Sequence, residues 1–162
     1  MSPTFSIRLM KLNDLDKLKE IAALSFSKIM RFFAVKSLLS DEGAVLVSEE
    51  KGVVVGFVKL IDFEIAHVRY GCILWIAVHP SYRRRGVAKA LAAEGIKRLK
   101  QGGATTLFAS VQRRKTGAQI VLKQNGFRIA RFLEVWRLFG WRVFQFYGDI
   151  WLAPGEVVLV HD

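Results

Sequence analysis

The run Val78-His79-Pro80-Ser81-Tyr82-Arg83-Arg84-Arg85-Gly86-Val87-Ala88 constrains this chain more than any other feature. Before it, Ile73-Leu74-Trp75-Ile76-Ala77-Val78 is an apolar run of strand length and predicts a buried β-strand. After it, Val87, Leu91, Ile96 and Leu99 recur at roughly helical spacing. A strand that passes through a basic, glycine-containing turn into a helix leaves free backbone N–H groups at the positive end of the helix dipole. Such a junction accepts an anion. Gly86 and Ala88 leave room for a bulky diphosphate to approach the backbone, where larger side chains would block it.

A second segment repeats the strand-to-helix theme. Leu107-Phe108-Ala109-Ser110-Val111 predicts a strand, and Ala118-x-x-x-Leu122-x-x-x-Gly126-Phe127 follows it. Gly126 suits the left-handed residue that closes a helix, and Phe127 begins the next strand. Nearer the N-terminus, Ile7-Arg8 predicts a short strand, and Asn13-Asp14-Leu15 opens a helix that runs through about Phe26. Ala44–Glu49, Lys51-Gly52 and Val53–Ile61 predict a β-hairpin. The resulting order is β-α-α-β-β-β-α-β-α-β-β. With 162 residues, the chain is expected to form a single domain, 1–162, large enough for a substantial core.

Composition narrows the function classes. A single cysteine, Cys72, excludes an internal disulfide and a cysteine-based metal cluster. The three histidines lack ligand spacing, so no metal is expected. No uninterrupted apolar stretch reaches membrane-spanning length, and Arg8, Lys11 and Asp14 break the pattern of a signal peptide. A cytoplasmic location is the expectation. The net charge of +11 is expected to serve solubility or to meet an anionic partner. No aromatic-and-basic recognition module is present, so nucleic acid is not expected as the primary ligand.

Taken together, these segments resemble the GNAT superfamily of acyl-CoA-dependent N-acyltransferases. Arg83-x-x-Gly86-x-Ala88 is similar to its acetyl-CoA signature, and the helix ending in Gly126-Phe127 to its second acetyl-CoA segment. The resemblance covers nearly the whole chain. It implies an α/β (α+β) fold with a mixed central β-sheet of about six to seven strands flanked by about four helices. It also implies acetyl-CoA as co-substrate and transfer of the acetyl group to a primary amine by direct attack. Ile76, Ala77 and Val78 would run beside the pantetheine arm, and the Val78 backbone N–H would stabilise the oxyanion. Arg83, Arg84, Arg85, Gly86, Val87 and Ala88 would hold the diphosphate, with Lys115, Ala118 and Leu122 on the neighbouring helix.

The chain departs from the family pattern where proton transfer is concerned. The usual acid, a tyrosine, aligns with Leu122, and the two usual positions of a glutamate base align with Cys72 and Ser110. A thiol leaves readily, with a pKa of about 8.5. The amine is the harder partner. At pH 7 an α-amino group is neutral roughly one time in ten, and a lysine only a few times in ten thousand. A weak or absent base therefore favours α-amino acceptors. Substitute bases are Glu64, placed first, with His67, Glu134 and Asp149 behind it; Tyr147 is the substitute acid. Trp75 is read as a core aromatic.

The segment Phe132–Leu152 is crowded with aromatic residues, interleaved with Arg137 and Arg142. Its aromatics are expected in the core, in an apolar acceptor pocket, in a homodimer interface or on a membrane surface. Periodicity leaves Glu134–Val143 open between helix and strand. Gly148–Leu152 and Val157–Val160 are expected as strands around a Pro154-Gly155 turn. With only 14 Asp and Glu in the chain, the carboxylate cluster that would bind a polyamine is not expected. The acceptor is instead a protein or peptide α-amino group or a small amine. Two alternatives stay open: a non-catalytic acyl-CoA-binding regulatory domain, and an RNA- or ribosome-associated acetyltransferase.

Overall fold

Burial of alternating and continuous apolar runs sets the frame. In the computed structural model, which describes residues 4–162, β2 (Ala44–Glu50), β3 (Val53–Ile65) and β4 (Val68–Val78) form an antiparallel meander. The short β1 (Ser6–Leu9) edges it, antiparallel to β2. On the other side come β5 (Thr106–Gln112), β6 (Arg128–Ile129) and β7 (Glu156–His161). The seven-stranded sheet has the order β1-β2-β3-β4-β5-β7-β6. Among the described residues only the β4–β5 pair is parallel. That pair needs a crossover, which α3 (Val87–Gln101) provides.

The sheet is covered on both faces. Helices α3 and α4 (Thr116–Gln124) bury Val87, Leu91 and Leu122 against Leu60, Ile73, Val78, Leu107 and Ala109. The opposite face carries α1 (Leu15–Ser25), α2 (Lys28–Leu38) and two short helices, α5 (Phe132–Phe139) and α6 (Val143–Asp149). There Leu18, Ile21, Ala34 and Leu38 share a core with Phe57, Cys72, Phe108, Phe139 and Phe146. Among the described residues no helix is long and apolar enough to cross a membrane.

The C-terminal segment departs from expectation. Gly148–Leu152 is not a strand: α6 runs to Asp149, and Trp151 sits in a turn with φ of 55°. Val135, Phe139, Val143, Phe146 and Ile150 are buried at roughly helical spacing, which a strand would have split between two faces. Phe139 stacks on Phe146 at 4.5 Å, and Phe146 meets Phe108 edge-on at 4.6 Å. The strand that pairs with β7 lies earlier, at Arg128–Ile129. The sheet thus has the four flanking helices α1–α4, to which the aromatic segment adds the short α5 and α6.

Two local devices match the sequence. Gly126 takes φ of 92°, Phe127 N–H bonds Leu122 O at 3.1 Å and Gly126 N–H bonds Lys123 O at 3.0 Å. This closes α4 with the paired bonds typical of a glycine-terminated helix. At the start of α1, buried Asp14 accepts the Lys11 N–H at 2.7 Å and both ends of the Arg8 guanidinium, at 2.8 and 3.0 Å. Arg8 also donates to Glu49 at 2.9 Å, so β1, β2 and α1 meet on one guanidinium.

The Arg8 guanidinium holds the Asp14 carboxyl below the usual carboxylate range. Its folded value is depressed, so its contribution to stability is present above the unfolded value and lost as pH falls through the folded one. Asp14→Asn is expected to cost about 1–3 kcal/mol at pH 7. The gap should close on acidification below the ordinary carboxylate range. Thermal melts of both proteins across pH 2–7 check this.

Candidate functional site

The site begins where β4 and β5 part. They pair from Tyr70–Thr106 to Ile73–Ala109, and then run on without pairing, to Val78 and Gln112. A bulge marks the parting. Lys59 lies opposite Trp75 and Leu60 opposite Ile73, so Leu74 is an extra residue in β4. The extra residue bends the strand. It also puts Leu74 and Trp75 on the same face, in the core beneath α1 and α2, while Ile73 and Val78 pack on the other face.

The parting opens a cleft of about 790 Å³ through the sheet. Leu74–Val78 wall one side and Ser110–Gln112 the other. Strand alternation aims the backbone of Val78. His79 N–H donates to Val55 O on β3 at 2.8 Å, so Val78, one residue earlier, turns its N–H and C=O away from β3 and into the cleft. The Val78 carbonyl accepts Arg83 Nε at 3.0 Å, leaving the N–H as the donor on offer there.

The basic turn forms one end of the cleft. Arg84 and Gly86 adopt left-handed conformations, φ 61° and 81°, and Gly86 caps α3. A Cβ on Gly86 would meet nothing within 4 Å, so conformation rather than crowding selects glycine, and the space beside it is open. The first intrahelical bond runs from Ala90 N–H to Gly86 O at 3.0 Å. The N–H groups of Val87, Ala88 and Lys89 therefore lack helical partners and face the cleft end. Arg83, Arg84, Lys89, Arg114 and Lys115 surround them.

The α1–α2 connection closes the side. Lys115 Nζ donates to Ser25 O at 2.7 Å and lies 4.7 Å from the Phe26 ring centre. The Arg83 guanidinium reaches Ser25 Oγ at 3.3 Å. Phe26 packs edge-on to Trp75 at 5.2 Å. Burial, and secondarily Arg83, depress the Lys115 pKa. The Trp75 indole N–H is buried without a protein acceptor in this wall.

Most of the residues expected at the cofactor line this cleft: Ile76, Ala77, Val78, Arg83, Arg84, Gly86, Val87, Ala88, Lys115, Ala118 and Leu122. Arg85 does not. It turns outward to Glu50 at 3.5 Å and over the Tyr82 ring at 5.1 Å. Glu64 and His67 pair with each other at 3.6 Å at the β3–β4 hairpin, the end of β4 remote from Val78. Glu134 is bound by Arg128, which holds its carboxyl low. Tyr147 and Asp149 lie on α6 outside the cleft lining, each with its pKa raised by burial. No residue of 132–152 lines the cleft. Phe132, Leu133, Leu138 and Phe144 are instead exposed on the outside of α5 and α6, and Trp141 in the turn between them.

Sequence reading missed the carboxylate of the cleft. Glu156, at the start of β7, is the only carboxylate among the described residues lining the cleft. Burial raises its pKa, opposed by the bond from the Ala153 N–H and by the neighbouring Ser110 side chain. The signal was present: β7 pairs with β5, and its first residue falls opposite Gln112 at the cleft edge. Finding it required the long-range register, which no local pattern encodes.

The arrangement agrees with comparisons to known proteins. The sequence model of the Acetyltransferase (GNAT) family matches residues 12–127. No functionally curated sequence matches. Among solved structures, the PaiA N-acetyltransferase of Thermoplasma acidophilum, in complex with coenzyme A, superposes with a TM-score of 0.69 at 17% identity, covering 100% of this chain and 99% of that one. The ribosomal-protein-S18-alanine N-acetyltransferase of Escherichia coli gives 0.67 at 19% identity, covering 97% and 92%. The IAA acetyltransferase of Bacillus cereus gives 0.65 at 17%, covering 97% and 98%. At these identities the structures establish the fold.

Lys115 is the strut of the α1–α2 connection, and its removal tests that role. Lys115→Met is expected to loosen Ser25–Ser27 by about 1 kcal/mol, a roughly fivefold faster local amide exchange, with little change in global melting. Hydrogen-exchange mass spectrometry of both proteins measures it.

Proposed function

The chain belongs to the GNAT acetyltransferase family, and from that premise we propose that it transfers an acetyl group from acetyl-CoA to a primary amine. The observation that carries the reading is the continuity of one surface. The free edge of β4 leads past the inward-facing Val78 N–H into the Arg83–Ala88 turn and the N-terminus of α3. An elongated ligand with an anionic end and a polar arm fits that surface. The anionic end would meet the N–H groups of Val87 and Ala88 with Arg83 and Arg84 beside them. The arm would complete the unpaired edge of β4 as an added strand does. Acetyl-CoA supplies an activated thioester there.

The chain's own contribution to the chemistry is electrostatic. As the amine nitrogen bonds to the thioester carbon, negative charge gathers on the carbonyl oxygen. A fixed backbone N–H such as that of Val78 stabilises this charge without reorganising, because the strand already holds it in place. The acceptor would arrive from the α1–α2 face, past Phe26, Met30 and Trp75. These apolar walls, with a single carboxylate, suit an uncharged or singly charged amine and not a polyamine. A peptide α-amino group answers this description. It is also the acceptor class in the name of the Escherichia coli neighbour, which acts on the alanine of a ribosomal protein.

Release of free thiol from acetyl-CoA, measured against N-terminal peptides, lysine peptides and small amines, tests the reading beside a calorimetric CoA titration. The wild-type protein should bind CoA and turn over α-amino acceptors fastest. Gly86→Val forces a β-branched residue into a left-handed conformation at a cost of about 1–3 kcal/mol, and should weaken CoA about ten- to hundredfold. CoA binding with no turnover of any amine would make the protein an acyl-CoA sensor, and absence of binding would remove the assignment.

A further inference from the structure

We propose that Glu156 is the group that takes the proton from the acceptor amine; this rests on the transferase reading above. An amine arrives at neutral pH mostly as ammonium, which has no lone pair to attack with. The cleft must therefore hold a proton acceptor on the side where the amine enters. Strand alternation puts Glu156 on that side. Phe108, Val158 and Val160 pack into the core beneath α1, α2, α5 and α6, so Ser110, Gln112 and Glu156, at even spacing from them, face the same way. Leu74 and Trp75 project from β4 on that same face across the cleft.

The carboxylate is rigidly mounted. Its Oε2 accepts the Ala153 N–H at 2.8 Å, and the Glu156 N–H returns a bond to Ala153 O at 3.2 Å. The Arg113 N–H ties the same turn to the end of β5, through Gly155 O at 3.0 Å. The neighbouring Ser110 side chain favours the charged form of the carboxylate.

Glu156 has no ion-pair partner within 4.0 Å among the described residues, unlike Asp14 or Glu134. The ionisable groups around the cleft are Tyr82, Arg83, Arg84, Lys89, Arg114 and Lys115 at the basic end. Cys72 lies behind, on β4, its thiol pushed up by burial and by the Glu156 charge. A half-buried carboxylate without an ion pair contributes nothing to the fold that a glutamine could not. Its burial weakens its hold on the charge, so it binds a proton more readily than an ordinary glutamate does.

The step balances as follows. Glu156 removes one proton from the ammonium, and the nitrogen lone pair forms the N–C bond at the thioester carbon. The C–S bond breaks and its electron pair leaves with sulfur. The second nitrogen proton goes to the thiolate as the amide forms, and Glu156 returns its proton to water. Amide, free thiol and one released proton account for every atom.

Glu156→Gln keeps the acceptor for the Ala153 N–H and removes only the base. It should leave CoA affinity within twofold and lower kcat/KM for the amine about 10²–10⁴-fold. The wild-type acid limb, where activity rises with pH as Glu156 ionises, should lie above the ordinary glutamate value of about 4.3. It should vanish in the glutamine variant and return in part in Glu156→Asp. Because the folded-state pKa is raised, ionisation costs stability as pH rises through it, so the glutamine variant should melt no lower than wild type at pH 7. Activity within threefold of wild type, or an unchanged acid limb, overturns the proposal while leaving the transferase reading intact. A wild-type protein that binds CoA but acetylates no amine overturns that reading and the role of Glu156 with it.

Discussion

The structure turns on one interrupted pairing. β4 and β5 hydrogen-bond as parallel neighbours only as far as Ile73 and Ala109. The extra residue at Leu74 bends β4 just there, and a bent strand cannot hold register with a straighter neighbour. Every functional feature follows from that separation. It exposes strand edge in mid-sheet, where backbone groups would otherwise be satisfied. It opens a passage between two independently packed cores. It also carries the end of β4 to a turn whose left-handed residues, Arg84 and Gly86, start α3 with free N–H groups directed at the gap. The cost of leaving backbone unpaired is tolerable only if something else fills the place, and the extended polar arm of the proposed ligand would do so.

Stability and function are divided between the two sides of the sheet. The α3–α4 side is built from aliphatic residues, Leu60, Leu91, Leu107 and Leu122 among them. The other side depends on aromatic contact, with Phe108, Phe139 and Phe146 in mutual van der Waals reach. The aromatic segment thus acts first as core, holding α5 and α6 against the sheet. Through the Ala153–Glu156 turn that follows α6, the same packing fixes where β7 begins, and so where its first carboxylate stands. The chain between β6 and β7 therefore matters to the cleft without lining it.

What could be read from the sequence was what local chemistry determines. The strand–turn–helix junction, the glycine closing α4 and the β2–β3 hairpin all depend on residues near one another in the chain. These fixed nearly every residue along the basic end of the cleft. Arg85 differs because three consecutive arginines cannot all face one way, and its side chain found Glu50 and Tyr82. Glu64 and His67 are close in sequence to β4, but they sit at the hairpin end of a long strand, whereas the cleft is at the other. Gly148–Leu152 is apolar enough for either structure, and only the packing of Ile150 beneath α6 decides. Glu156 was hidden for the opposite reason. Nothing around it in sequence marks it, and it acquires meaning only when β7 pairs with β5.

The distribution of charge gives the cleft a direction. Five cations, Arg83, Arg84, Lys89, Arg114 and Lys115, line the cleft, two of them reaching Ser25 on the α1–α2 connection, while Glu156 is the lone carboxylate among the described lining residues. A ligand with an anionic tail is drawn to these cations, and the potential there repels an ammonium. On the proposed reading an amine approaches from the α1–α2 side toward Glu156, the one carboxylate among the described residues lining the cleft. In the proposed reaction the anionic cofactor would occupy the α3 end and the amine would enter from the other mouth beside Glu156, the two meeting near the Val78 backbone. That separation needs no moving part, because the bulge and the paired strands around it already hold the two mouths apart.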